Sequence, residues 1–235
     1  MRLLLLSNST NSGETFLEHA SLYIKDFLGT KPYKILFIPY ASVSISYDLY
    51  YQKVKEKFNY SGIEINSVHL INEPEKALQN CDCIVVGGGN TFHLLSQLQI
   101  NSLMNVISRR VKQGIPYIGW SAGINIVCPT ICTTNDMPII ETENLNGLSL
   151  IPFQINPHFT DLQIEGHSGE SRETRIKEYI EVNQGRYVIG LREGSLLRIE
   201  SQSIFLLGDK SARVFKYGKA PMELVSENDL NFILE

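Results

Sequence analysis

Tyr117-Ile118-Gly119-Trp120-Ser121-Ala122-Gly123 sets a serine between two glycines at the end of a short apolar run. A strand that ends in G-x-S-x-G turns sharply into a helix and lifts the hydroxyl clear of the backbone, forming a nucleophile elbow. Glycine is needed beside the serine because a Cβ there crowds either the hydroxyl or the following helix, and because glycine tolerates strained dihedrals. The chemistry implied is attack of Ser121 on a carbonyl. The short pattern also arises by chance, so a base, an acid and oxyanion donors must accompany it.

The chain has five histidines: His19, His69, His93, His158 and His167. His158 stands out, because Gln154-Ile155-Asn156-Pro157-His158-Phe159 places it just past a predicted strand, with Pro157 stiffening the approach and keeping Asn156 extended. His19 and His93 fall on predicted helices and His69 near the end of a strand, while His167, between Gly166 and Gly169, competes for the same role. The acid that holds the imidazole tautomer has two candidates, Glu193 in Gly190-Leu191-Arg192-Glu193-Gly194 and Asp136 in Thr133-Thr134-Asn135-Asp136-Met137-Pro138. Spacing alone leaves both open.

Gly87-Gly88-Gly89-Asn90-Thr91 follows another apolar run and opens a helix. It lacks both the lysine of a P-loop and the G-x-G-x-x-G spacing. Its best use is an oxyanion hole, with one amide from Gly88 or Gly89 and another from Ala122, although a tight turn without a ligand has the same composition. Gly166 to Arg175 is punctuated by glycine and feeds a helix, so it can deliver Arg172 to an anionic group that guanidinium grips with two prongs. On residue types alone, pairing of Arg172 or Arg175 with nearby glutamates is the simpler reading.

These groups need a scaffold, and the apolar periodicity supplies one. Strands are expected at Leu3–Ser7, Ile35–Ile38, Ile63–Leu70, Cys83–Val86 and just before Ser121. Helices are expected from Phe16 to Leu28, near Tyr47–Tyr60, from Pro74, and at Thr91–Leu98 and Ser102–Gln113. Continuously apolar strands alternating with helices predict an α/β fold, a mostly parallel sheet covered by helices on both faces. Beyond the elbow the order changes to a strand at Leu148–Ile155, a helix at Arg172–Val182, a strand at Tyr187–Leu191, and antiparallel C-terminal strands at Leu196–Ile199, Ile204–Leu207 and Val214–Tyr217.

The 235 residues contain no linker-like or low-complexity tract, so a single domain is expected. A net charge of -4 argues against nucleic-acid or anionic-membrane partners. Asn8 to Asn11 cuts the N-terminal apolar run too short for a signal peptide, and no stretch approaches a membrane span. Cys81, Cys83, Cys128 and Cys132 match no common zinc spacing and read as buried free thiols, which fits a cytoplasmic protein.

Taken together, Leu4 to Thr10, Gly87 to Phe92, Gly119 to Gly123, Thr133 to Pro138, Ile155 to Thr160 and Gly190 to Gly194 closely resemble the peptidase E family of α-aspartyl dipeptidases, from the N-terminus to about Tyr217. The resemblance implies a class I glutamine-amidotransferase-like (flavodoxin-like) fold and a serine peptidase that cleaves dipeptides beginning with aspartate, without metal or cofactor. It makes Ser121 the nucleophile and His158 the base. Asp136 and Glu193 both fall at positions discussed as the acid, and the order Ser, His, acid favours Glu193. The same resemblance reverses the simpler reading of Arg172, which becomes the receptor for the aspartyl side chain, with Asn90 beside it as a substrate-binding candidate. The implied partner is a small acidic dipeptide, met by a monomer or homodimer. A β-aspartyl, cyanophycinase-like enzyme or a non-catalytic binding protein on the same fold are the alternatives.

Overall fold

A computed structural model describes residues 1–60, 62–162, 169–226 and 228–234. Strands β1 (Arg2–Leu6), β2 (Tyr33–Ile38), β3 (Ile63–Ser67), β4 (Cys83–Val86) and β5 (Pro116–Trp120) form the parallel part of a seven-stranded sheet. Strands β8 (Leu196–Glu200) and β9 (Ser203–Leu207) extend it antiparallel beyond β1, giving the order β3-β2-β4-β5-β1-β8-β9. Side chains alternate across a strand, so Leu3 and Leu5 of β1 enter one core while Leu4 and Leu6 enter the other.

Helices α1 (Ser21–Leu28) and α2 (Tyr47–Lys57) cover the second of these faces through Ile24, Phe27, Tyr50, Tyr51 and Val54. The opposite face is covered by α3 (Pro74–Asn80), α4 (Thr91–Ile100), α5 (Met104–Lys112) and the short α6 (Ala122–Asn125). The expected α/β architecture with helices on both faces is present.

Several boundaries differ from the periodicity. Phe16, Leu17 and Ala20 are buried, yet α1 begins only at Ser21. Leu17 has φ 55° and its amide donates to the Ser9 carbonyl, while Thr15 and Glu18 close a local turn through the Glu18 carboxylate. Those polar contacts compete with the helix. The second helix stops at Lys57, short of Tyr60, and the third strand gives way to a 3-10 turn at Val68–Leu70.

The largest correction concerns the chain after the elbow. No strand covers Leu148 to Phe153; Leu148, Leu150, Ile151 and Phe153 are buried on irregular chain, Ser149 and Pro152 are exposed, and β6 runs from Gln154 to Phe159. β6 lies parallel to β7 (Tyr187–Arg192), followed by β10 (Ala212–Lys216) and β11 (Met222–Leu224), in a separate four-stranded sheet ordered β11-β10-β7-β6. The C-terminal strands are therefore divided between two sheets. Helix α7 (Arg172–Val182) packs Ile176 and Ile180 against Phe159, Val188 and Phe215 of the second sheet. Glu223 of β11 accepts hydrogen bonds from Arg192, which hold its carboxyl below the usual range.

Candidate active site

Strands β4, β5 and β1 are neighbours and point the same way, so the segments after them meet at one edge of the main sheet. Ligands collect at that carboxyl edge in open α/β sheets. Ser121 follows β5 with φ 52° and ψ -113°, a strained conformation that lifts its side chain out of the turn. The flanking glycines are sterically required. A Cβ on Gly119 would lie 2.5 Å from the Gly123 carbonyl oxygen, and one on Gly123 would lie 2.4 Å from that of Val86.

Ser121 Oγ lies 2.9 Å from His158 Nε2, and His158 Nδ1 lies 2.7 Å from Glu193 Oε1. The imidazole reaches this position through a bulge in β6. Asn156 pairs with Gly190 and Phe159 with Arg192, so β6 spends one more residue than β7 over that interval. Pro157, which lacks an amide donor, sits within it, and His158 has φ 52°. A bulge of this kind re-aims a side chain, here toward the main sheet's edge.

Ser7 and Asn8 hold the two halves together, a role that the residue types did not reveal. The His158 amide donates to Ser7 Oγ at 2.9 Å, and Ser7 Oγ donates to the Leu191 carbonyl at 2.7 Å. Asn8 Oδ1 accepts from the Gly194 amide at 2.8 Å. One loop after β1 thus fixes the backbone on either side of the His158–Glu193 contact. Its only sequence signal is a pair of small polar residues directly after a buried strand.

Asp136 lies elsewhere. Its Oδ2 accepts from the Thr91 amide at 2.8 Å, Thr91 Oγ1 at 2.6 Å and Thr134 Oγ1 at 3.0 Å. A carboxylate at the first turn of α4 satisfies a free amide and complements the helix dipole. Its carboxylate bonds to that turn, and the carboxylate in contact with the imidazole here is that of Glu193.

The Gly88–Gly89 loop is pressed against neighbouring backbone. A Cβ on Gly89, at φ 141°, would stand 2.1 Å from the Ala41 carbonyl oxygen, and one on Gly88 would stand 3.0 Å from Ser121 Cβ. The Gly88 amide lies beside the buried Tyr50 hydroxyl, which also accepts from Trp120 Nε1 at 2.7 Å. Ala122 opens α6, so its amide has no acceptor within the helix. Asn90 lines the cleft, but its side chain caps α4 by accepting from the His93 amide and donates to the Met137 carbonyl. Those two bonds fix the side chain and use one of its two N–H donors and one of its two oxygen lone pairs.

Arg172 begins α7, and its Nη1 donates to Asn135 Oδ1. Asn135 Nδ2 in turn donates to the Pro157 carbonyl at 2.6 Å, directly before His158. Among the described residues Arg172 has no carboxylate partner; the nearby glutamates Glu170 and Glu173 pair with Arg175 and Lys177. Burial lowers its pKa, Arg175 adds to the effect, and Asp136 opposes it. The competing candidate His167 lies outside the described residues.

Cys81, Cys83 and Cys128 are buried, and burial pushes the Cys81 thiol up to about 11 and Cys128 up to about 12, so they stay protonated and inert at neutral pH. Cys132 is exposed, against expectation. Among the described residues no cluster of His, Cys, Asp and Glu is arranged to hold a metal, and no helix is long and apolar enough to cross a membrane.

A sharp strand-to-helix turn bearing a serine, an imidazole at hydrogen-bond distance and a carboxylate behind it are the parts of a hydrolase that works by acyl transfer. The profile of peptidase family S51 matches residues 3–207, and the chain belongs to that family. It is 48% identical over 234 residues to Peptidase E of Nostoc sp., an alignment covering 100% of this chain and 97% of that protein. Peptidase E of Shewanella amazonensis is 43% identical over 234 residues, covering 100% and 99%. Among solved structures, a putative peptidase E from Listeria monocytogenes EGD-e aligns with TM-score 0.67 at 22% identity over 89% of this chain and 98% of that one. A peptidase from an acI-B1 Actinobacterium aligns with TM-score 0.68 at 17% identity over 97% and 96%. At those identities the two structures establish the shared fold.

Proposed function

We propose that this chain is a serine dipeptidase that hydrolyses dipeptides with N-terminal aspartate, working in the cytoplasm as a monomer or homodimer. The observation that carries the chemistry is the continuous contact from Ser121 Oγ through the His158 ring to Glu193. In this reading Ser121 attacks the carbonyl of the aspartyl residue while His158 Nε2 takes its proton, and Glu193 holds the other ring nitrogen and stabilises the imidazolium. Amides of the Gly88–Gly89 loop and of Ala122 receive the oxyanion. Collapse of the tetrahedral adduct breaks the peptide bond as His158 protonates the departing amine, leaving aspartate esterified to Ser121. Water then repeats the sequence, giving its proton to His158 and releasing aspartate.

Arg172 is the receptor for the aspartyl side chain in this account. It is half-buried, free of carboxylate partners among the described residues, and linked through Asn135 to the backbone beside His158. A guanidinium so placed matches a substrate carboxylate in charge and in shape. Glu-X is expected to be poor, since an extra methylene displaces either the carboxylate from Arg172 or the carbonyl from Ser121. The test is a panel of Asp-Leu, its β-linked isomer, Glu-Leu and Asn-Leu. Preference for α-linked Asp-Leu is the expected outcome, whereas preference for the β-linked isomer would reassign the reaction and turnover of none would make the protein a binder.

A further inference from the structure

A dipeptide Asp-X carries a second carboxylate, at its C-terminus, and a cation other than Arg172 lines the cleft to meet it. The cleft in front of Ser121 and His158 has a volume of about 520 Å³, and among the described residues lining it Lys53 is the only lysine or arginine and no aspartate or glutamate appears. Lys53 lies three residues after Tyr50 on α2, so the two share a helix face. Tyr50 is fixed to Trp120, the residue before Ser121, and Lys53 Nζ rests 4.5 Å from the centroid of the Phe16 ring, which packs edge-on against Trp120. Lys53 makes no ion pair among the described residues, while Lys57, one turn further on, donates to Thr15 Oγ1 at 3.2 Å.

The two cations approach from different faces of the main sheet. Phe16, Tyr50 and Trp120 belong to the core under α1 and α2. Arg172 instead reaches Asn135, in a segment that follows Ile131 of the opposite core and is clipped to Ile155 by Thr133. Arg172 and Lys53 are thus carried by separate elements, α7 and α2. In a dipeptide the terminal carboxylate carbon lies about 4 Å beyond the scissile carbonyl carbon, by bond lengths alone. Lys53 and Ser121 line the same cleft.

We propose that Lys53 receives the α-carboxylate of the leaving residue, making it the group that selects dipeptides by their free C-terminus. The proposal rests on the Asp-X peptidase reading above. The Phe16 ring holds the exposed ammonium at the cleft by a cation–π contact, and a local cation offsets the net charge of -4 that otherwise repels a doubly acidic substrate. If Lys53 instead only latches Phe16 in place, its loss harms all substrates equally.

The experiment compares kcat/KM for Asp-Leu and Asp-Leu amide, which differ only in the terminal charge, on the wild type, Lys53→Met and Lys53→Arg. The wild type should prefer the free acid by about tenfold, the worth of one partly exposed charge-assisted contact. Lys53→Met should bring the ratio to within about twofold of one, mainly through KM, and Lys53→Arg should keep a preference. A wild-type ratio near one, or a ratio preserved in Lys53→Met, overturns the assignment of Lys53 while leaving the Asp-X reading intact. Turnover of neither compound by the wild type overturns both.

Discussion

Glu193 and Asp136 are carboxylates of similar chemistry in two loops, yet their hydrogen-bond partners differ in kind and number. Asp136 is half-buried and takes three donors from Thr91 and Thr134 at the start of α4. Glu193 is more than half exposed, at 56%, and gives an oxygen to His158 Nδ1. A carboxylate saturated by fixed donors braces backbone, whereas one with a single imidazole partner can answer a change in that ring's charge. In the proposed reading, partners rather than residue type set the role.

The comparison sits on a prior requirement, that Ser121 carries the reaction. Ser121→Ala should fold normally and lose at least about a thousandfold in kcat, leaving the residue of catalysis that binding and the oxyanion hole supply. Activity within tenfold of wild type, measured on Asp-Leu, would remove the serine from the chemistry. Glu193→Gln should cost about a hundredfold in kcat, because a neutral amide holds the ring less well and cannot stabilise its charged form.

Arg172→Ala follows, with a loss of about 30-fold in kcat/KM for Asp-Leu and little change for Asn-Leu. Arg172→Lys should recover only part of it, since an ammonium cannot reproduce a two-pronged grip. An unchanged Asp-Leu to Asn-Leu ratio would move aspartate recognition to another group. The smallest kinetic effect belongs to Asp136→Asn, below tenfold in kcat. Its mark should be a stability loss of about 1 kcal/mol in denaturant unfolding, the usual worth of a helix cap. A kinetic loss exceeding that of Glu193→Gln would invert the comparison.

Chemistry was more legible in the chain than geometry. The serine between glycines, the strand at Cys83–Val86 and the helix at Arg172–Val182 follow from local sequence, because each is set by its own residues and neighbours. Leu148, Leu150, Ile151 and Phe153 show the limit: an apolar run announces burial, and theirs is satisfied without a strand. Ser7 contacts residues 151 and 184 positions away, and Glu223 meets Arg192 across 31. Pairings of that span leave no local periodicity. The choice between Glu193 and Asp136 belonged to the same class, since it turns on which loop the His158 bulge faces.

The most direct test of the account reads activation of Ser121 without any assumption about substrate: the rate of covalent modification by a fluorophosphonate, followed by intact mass on wild type, Ser121→Ala, Glu193→Gln and Asp136→Asn. The account predicts one adduct on the wild type, none on Ser121→Ala, a rate slowed about a hundredfold in Glu193→Gln and nearly unchanged in Asp136→Asn. An adduct on Ser121→Ala, or a rate that falls with Asp136 and not with Glu193, would contradict it.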